Sequence, residues 1–170
     1  MRLSNTTSIL MGIDPGYDRI GWAICENKGA KLRSLGYGCI RTNSKETQLQ
    51  RYQQLAVELG QILDQFHPDA AVVESLFFAT NQKTAIAVAQ ARGIILAQLF
   101  QHQVAIHQYT PLQIKQAATG YGSADKASVE KMVRLQIELP STKIIDDTID
   151  ALAMVITLQA RLRVDAASML

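Results

Sequence analysis

Four acidic residues stand where charge is costly. Asp14 closes the apolar run 8–14, Glu74 closes a second at 70–74, and Asp147 and Asp150 interrupt a third at 144–156. Carboxylates are rarely buried without a partner, because desolvating an ionised group costs several kcal/mol. Brought together, the four would repel one another until a divalent cation joined them. A set of hard oxygen donors containing no His or Cys suits magnesium rather than zinc. Two such ions in one carboxylate site suit phosphodiester hydrolysis: one activates a water and the other stabilises the leaving oxygen, about 3.5–4 Å away. The chain has no Gly-x-Ser-x-Gly, no His-Glu-x-x-His and no Cys–His pair that would suggest a covalent nucleophile. Simpler accounts exist for each acid alone. Asp14-Pro15-Gly16 is a turn signal, Glu74 could be an exposed strand end, and Asp147 with Asp150 could cap a helix start.

The elements that must position these acids follow from periodicity and turn chemistry. Runs 8–13, 20–25 and 32–41 read as strands, divided by Asp14-Pro15-Gly16 and Asn27-Lys28-Gly29, which predicts an antiparallel meander. Thr42 or Ser44 is expected to open a helix whose apolar positions include Leu55, Leu59 and Leu63 and which Pro68 ends. Run 70–73 is an unbroken apolar strand. A helix over about 82–102 is rich in alanine, with small residues on more than one face, so it is expected to meet both the sheet and a second helix or subunit. A strand at 104–109, a short helix from Pro111, a helix over about 125–138 and a last helix over about 147–162 complete the order. Meander followed by strand–helix alternation predicts an α/β fold: a mixed five-stranded sheet with helices on both faces. In such sheets sites gather beyond the carboxyl ends of parallel strands, so pairing the first strand with the fourth would put Asp14 and Glu74 on one rim. Asp147 and Asp150, three residues apart, share one helical face.

At 170 residues the chain is most simply a single domain over 1–170, with 1–7 and 163–170 expected to fray. The net charge of +2 is small, but between Ser75 and Lys143 seven Lys and Arg face only Asp125, Glu130 and Glu138. That excess suits a polyanion, and a solvated helical surface explains it equally. Cys25 and Cys39 form no metal-spaced pair and are expected to be buried free thiols. The most apolar stretch, 86–100, is broken by Gln90, Arg92 and Gln98, so no membrane span is expected. With no targeting segment evident, a cytoplasmic location is the simplest expectation.

Five motifs occur in order: Gly-Ile-Asp-Pro-Gly at 12–16, Val-Glu-Ser-Leu-Phe-Phe at 73–78, Ala-Gln-Ala-Arg-Gly at 89–93, Gly-Tyr-Gly-Ser-Ala-Asp-Lys at 120–126 and Asp-Thr-Ile-Asp-Ala-Leu-Ala at 147–153. Together they resemble the signatures of the RuvC family, bacterial Holliday-junction resolvases, over nearly the whole chain. The resemblance implies an RNase H-like fold and a homodimer that cuts two opposed strands of a four-way DNA junction symmetrically, in recombination and repair. It implies Asp14, Glu74, Asp147 and Asp150 as catalytic, metal-holding acids for two Mg2+ ions, with Mn2+ as a substitute. It places a junction-contacting aromatic at Phe77 and basic DNA contacts at Lys115 and Lys126, makes the alanine-rich helix the dimerising one, and implies cooperation with a branch-migration complex. Gly-Ile-Asp-x-Gly alone also opens actin-like ATPases and sugar kinases, but that class needs two such domains. Two further readings compete: a module that binds branched DNA without cutting it, and an RNA-processing nuclease of similar fold.

Lys126 follows a glycine-rich turn, where freed backbone amides favour phosphate, whereas a lysine such as Lys115 on a polar helix face is ordinarily just solvated. Phe77 and Phe78 are consecutive, so one could pack inward while the other offers a stacking surface to an unpaired base, worth roughly 1–3 kcal/mol. Phe77→Ala is therefore expected to spare metal binding but weaken junction distortion and cutting. The check is 2-aminopurine fluorescence at the crossover, alongside the cleavage rate; full activity with an unaltered signal would remove Phe77 from the DNA contact.

Overall fold

The computed structural model describes residues 8–28, 31–75 and 82–168. Five strands, β1 (Ser8–Asp14), β2 (Arg19–Lys28), β3 (Lys31–Arg41), β4 (Ala70–Glu74) and β5 (Ala105–Tyr109), form one sheet in the order β3-β2-β1-β4-β5. β1, β2 and β3 pair antiparallel, while β1–β4 and β4–β5 pair parallel. The mixed sheet expected from the strand pattern is therefore present.

Side-chain alternation along the strands sends successive residues to opposite layers. Leu10, Ala23, Cys25, Ala70 and Val72 join a core with helices α3 (Pro111–Thr119), α4 (Lys126–Gln136) and α5 (Asp146–Ala167). Met11, Ile13, Ile20, Ile24, Ala71 and Val73 join the other core, with α1 (Gln48–Phe66) and α2 (Gln82–Gln101). Each outer helix presents one apolar stripe at four-residue spacing: Leu55, Leu59 and Leu63 on α1, and Ala91, Ile95 and Leu99 on α2. α5 differs, because every residue from Ala151 to Gln159 is buried. It is a central helix, covered by the sheet on one side and by α3 and α4 on others.

Two helix boundaries and the burial of one cysteine depart from expectation. α1 starts at Gln48 rather than near Thr42, because Thr47 and Gln50 form a reciprocal capping box. Thr42 is engaged elsewhere, its hydroxyl donating to the Tyr17 carbonyl at 2.9 Å. α5 continues past Leu162 to Ala167 in place of the expected fraying; Arg161 pairs with Asp165 one turn on. Cys25 is buried, but Cys39, on the edge strand β3, is only half-buried, so the expectation of two buried thiols holds for one. Phe77 and Phe78 lie outside the described residues. Among the described residues no helix is long and apolar enough to cross a membrane.

The feature of the fold that matters most for the site is how closely α5 lies on the sheet. A Cβ built at Gly12 would fall on the Ala151 carbonyl, and one built at Gly21 on the Asp147 carbonyl. Glycine on β1 and β2 thus lets the helix backbone rest directly against the strands. Forcing even a methyl group into such a contact should cost about 1–3 kcal/mol or more. Gly12→Ala is expected to lower the urea midpoint accordingly; a variant as stable as the parent would contradict this seating of α5.

Candidate active site

Asp14 is the last residue of β1 and Glu74 the last of β4. Their strands are adjacent and parallel, with Ile13 opposite Val73, so the two acids emerge side by side on the rim at the strands' carboxyl ends. Asp147 and Asp150 sit in the first turns of α5, which the glycine contacts press onto β1 and β2. Asp147 falls inside the first turn with Asp146 ahead of it, so the simple cap reading does not describe it.

The four carboxylates act on one another electrostatically. Burial first, then the charges of Glu74, Asp150 and Asp147, push the Asp14 carboxyl from 3.8 up to about 8, with Lys126 pulling the other way. Burial and then Asp150 push Glu74 up to about 7, against the pull of Lys115. Asp150 is also raised, chiefly by burial and against Lys126, with Asp146 and Asp147 adding to the rise. Asp14 is the member that feels all three of the others. Both predicted lysines thus act on this rim, Lys115 on Glu74 and Asp150, and Lys126 on Asp14 and Asp150.

Among the described residues, no group of three or more His, Cys, Asp and Glu side chains already stands arranged to hold a metal ion. The donors are nevertheless of the right kind. They are all carboxylates on one rim, and Asp147 Oδ2 is buried without a hydrogen-bond partner. A buried acceptor left in that state is costly. Hard oxygen donors of this kind fit a divalent cation such as Mg2+.

Several contacts beyond the four acids shape the site. Arg19 Nε lies 3.2 Å from Asp147 Oδ2. Arg51, buried on α1, donates from Nε to Thr42 Oγ1 at 2.9 Å and from a terminal nitrogen to the Tyr17 carbonyl at 3.2 Å, and it pairs with Asp18. Its guanidinium also lies 3.7 Å from the centre of the Tyr17 ring. This clamp holds the turn that leaves Asp14. Arg92 Nε donates to the Glu74 carbonyl at 3.1 Å, and its guanidinium reaches Gln108 on β5. The sequence does carry a signal for Arg51, which stands four residues before Leu55 in line with the buried stripe of α1. Lys126 Nζ bonds Asp146 Oδ2 at 3.1 Å, beside a half-open cleft of about 200 Å³ lined by Lys126, Ala127, Glu130, Asp146, Ile149 and Asp150.

Residues 10–158 match the family described as crossover junction endodeoxyribonuclease RuvC. A protein of that name from Roseiflexus sp. is 42% identical over 151 residues, covering 89% of this chain and 90% of its own. Another, from Halothermothrix orenii, is 43% identical over 146 residues, covering 86% and 88%. The structure of T. thermophilus RuvC in complex with a Holliday junction substrate superposes with a TM-score of 0.87 at 32% identity, over 94% of this chain and 97% of that one. The yeast mitochondrial Holliday junction resolvase shares the fold, with a TM-score of 0.67 at 14% identity. The chain belongs to the RuvC family of crossover junction endodeoxyribonucleases, nucleases with an RNase H-like fold. Divalent-metal dependence goes with that family, and membership sets aside an actin-like ATPase or sugar kinase.

The raised carboxyls have a consequence for stability. An acid whose pKa is higher in the folded than in the unfolded chain keeps its proton longer when folded, so stability falls as pH rises between the two values. For Asp14 that window runs from 3.8 to about 8 and for Glu74 from 4.5 to about 7. In EDTA the melting temperature is expected to fall from pH 5 to pH 8. Asp14→Asn should flatten the fall and Mg2+ should offset it; melts that do not distinguish the variant from the parent would contradict the clustering.

Proposed function

We propose that this chain resolves Holliday junctions by Mg2+-dependent hydrolysis of a phosphodiester in each of two opposed strands, using Asp14, Glu74, Asp147 and Asp150. The observation that carries this reading is the state of Asp14, half-buried at a strand end and raised to about 8 by desolvation and by three neighbouring carboxylates. Desolvation and mutual repulsion work against ionising Asp14, Glu74 and Asp150 together, and added positive charge would relieve both, which is the use a DNA-cutting cleft has for such a concentration of acids.

Asp14, flanked by Glu74 on one side and by the α5 acids on the other, is the residue suited to bridge two ions. Glu74 would hold or orient one, and Asp147 with Asp150 would complete the other. Bound there, two Mg2+ ions would supply Lewis acidity for the attacking water and the leaving oxygen, and Mn2+ could replace them. The chain's own groups set the frame: β1 and β4 fix Asp14 and Glu74 on rigid strand ends, and α5 fixes the other two. Lys115 and Lys126 flank the acids and would hold the backbone phosphates of the junction, with Phe77 against an unpaired base near the crossover.

Two such sites are needed for symmetric cutting, and a homodimer supplies them. The face of α2 that carries Ile86, Gly93 and Phe100 at seven-residue spacing supports it. Ile86 and Phe100 are 72% and 69% exposed, and a Cβ at Gly93 would meet nothing within 4 Å. Large apolar side chains in line on one helix face suit a partner helix. The setting is recombination and DNA repair in the cytoplasm, in cooperation with a branch-migration complex.

A labelled synthetic four-way junction and a matched linear duplex, incubated with Mg2+, with EDTA, and with Asp14→Asn, test the reading. Paired symmetric nicks in the junction alone are expected with Mg2+, with a loss of at least about a hundredfold in the variant, about the size of removing one strong electrostatic stabiliser. Cutting that survives EDTA or Asp14→Asn would refute it.

A further inference from the structure

Arg19 opens β2, directly after the turn that leaves Asp14. That turn is held on both flanks. Arg51 and Thr42 grip the Tyr17 carbonyl, and the Thr42 N–H donates to the Asp18 carbonyl at 3.1 Å. The Arg19 backbone is thereby presented from a fixed base toward the start of α5. Its side chain is 54% exposed, yet its Nε stands 3.2 Å from Asp147 Oδ2, whose carboxylate is only 19% exposed.

The contact is one of charge rather than of directed hydrogen bonding. Asp147 Oδ2 is buried and still has no hydrogen-bond partner, although the guanidinium is in reach. Such a pair keeps the carboxylate compensated but gives up the geometry that makes Arg–carboxylate pairs strong. It can be displaced at low cost by a better cation. It also engages Asp147 toward β2 rather than toward the other acids.

We propose that Arg19 is a built-in competitor for the metal: its guanidinium holds Asp147 in the metal-free enzyme, and a divalent ion must displace it to recruit that carboxylate. This rests on the reading of Asp147 as a metal-holding residue. Arg19 is then a positioning residue. It keeps the α5 side of the site compensated while no ion is bound, and it sets the affinity for the ion that uses Asp147. A guanidinium suits this role because it stays charged at every working pH, so occupancy depends on metal concentration and not on the titration of the competitor.

The test needs no DNA and no turnover. Mn2+ is titrated into the full-length protein, and free Mn2+ is read by electron paramagnetic resonance. Arg19→Gln should tighten Mn2+ binding by about two- to fivefold, the range expected when a half-exposed ion pair stops competing. Loss of a nearby positive charge would also tighten binding through the general field, so the same substitution is made in an Asp147→Asn background. If Arg19 acts through Asp147, the tightening disappears there. Unchanged affinity in Arg19→Gln, or equal tightening in both backgrounds, overturns the proposal. Asp14→Asn separates it from the reading beneath. Equal Mn2+ affinity in parent and Asp14→Asn would sink the metal site and Arg19's role with it, whereas weakened binding in Asp14→Asn with no effect of Arg19→Gln would sink the role of Arg19 alone.

Discussion

A helix backbone lies in direct contact with two strands, and the site depends on that contact. Without side chains at Gly12 and Gly21, the carbonyls of Ala151 and Asp147 come against β1 and β2. Close-packed interiors do not absorb an extra methyl group without shifting something larger. A bulkier residue at either glycine would lift the start of α5, and with it Asp147 and Asp150, away from the strand end that carries Asp14. The burial of α5 from Ala151 to Gln159 turns this seating into a rigid one.

The same closeness creates the site's electrostatic problem. Asp14, Glu74 and Asp150 are all pushed toward the protonated form, with burial the leading cause and neighbouring carboxylates adding to it. The chain supplies partial remedies from three directions. Lys126 and Lys115 oppose the rise from α4 and α3, and Arg19 stands against Asp147 from β2. None of these is a fully buried, well-directed pair, so the charge of the acids is only partly offset. Arg51 and Arg92 act differently. They bind carbonyls of the segments next to Asp14 and at Glu74, and so hold backbone rather than charge.

Much of the architecture is legible because it is written in short-range patterns. The apolar runs at 8–14 and 70–74 announce strands, and the stripe Leu55–Leu59–Leu63 announces a buried helix face. The start of α1 is harder to read, because Thr42, Ser44 and Thr47 are all competent caps. The helix starts after Thr47, whose partner Gln50 completes the box, while Thr42 is drawn to the Tyr17 carbonyl, 25 residues away in sequence. Arg51 is hidden for a similar reason: a charged residue in an apolar stripe makes sense only once Tyr17, Asp18 and Thr42 surround it. Asp146 is ambiguous in the sequence; in the structure it leans outward to Lys126.

By itself the amino-acid order determined which residues could do chemistry and on which kind of element each would lie, since residue type and local periodicity are properties of neighbouring positions. It also carried the family signature, because five short motifs survive in order. Only the tertiary structure decided that Arg19 meets Asp147, that Arg92 caps the end of β4, and that Cys39 lies half open on an edge strand. Those outcomes depend on contacts between distant segments, and the energy of such a contact exists only when the sheet order and the seating of α5 bring its two halves together.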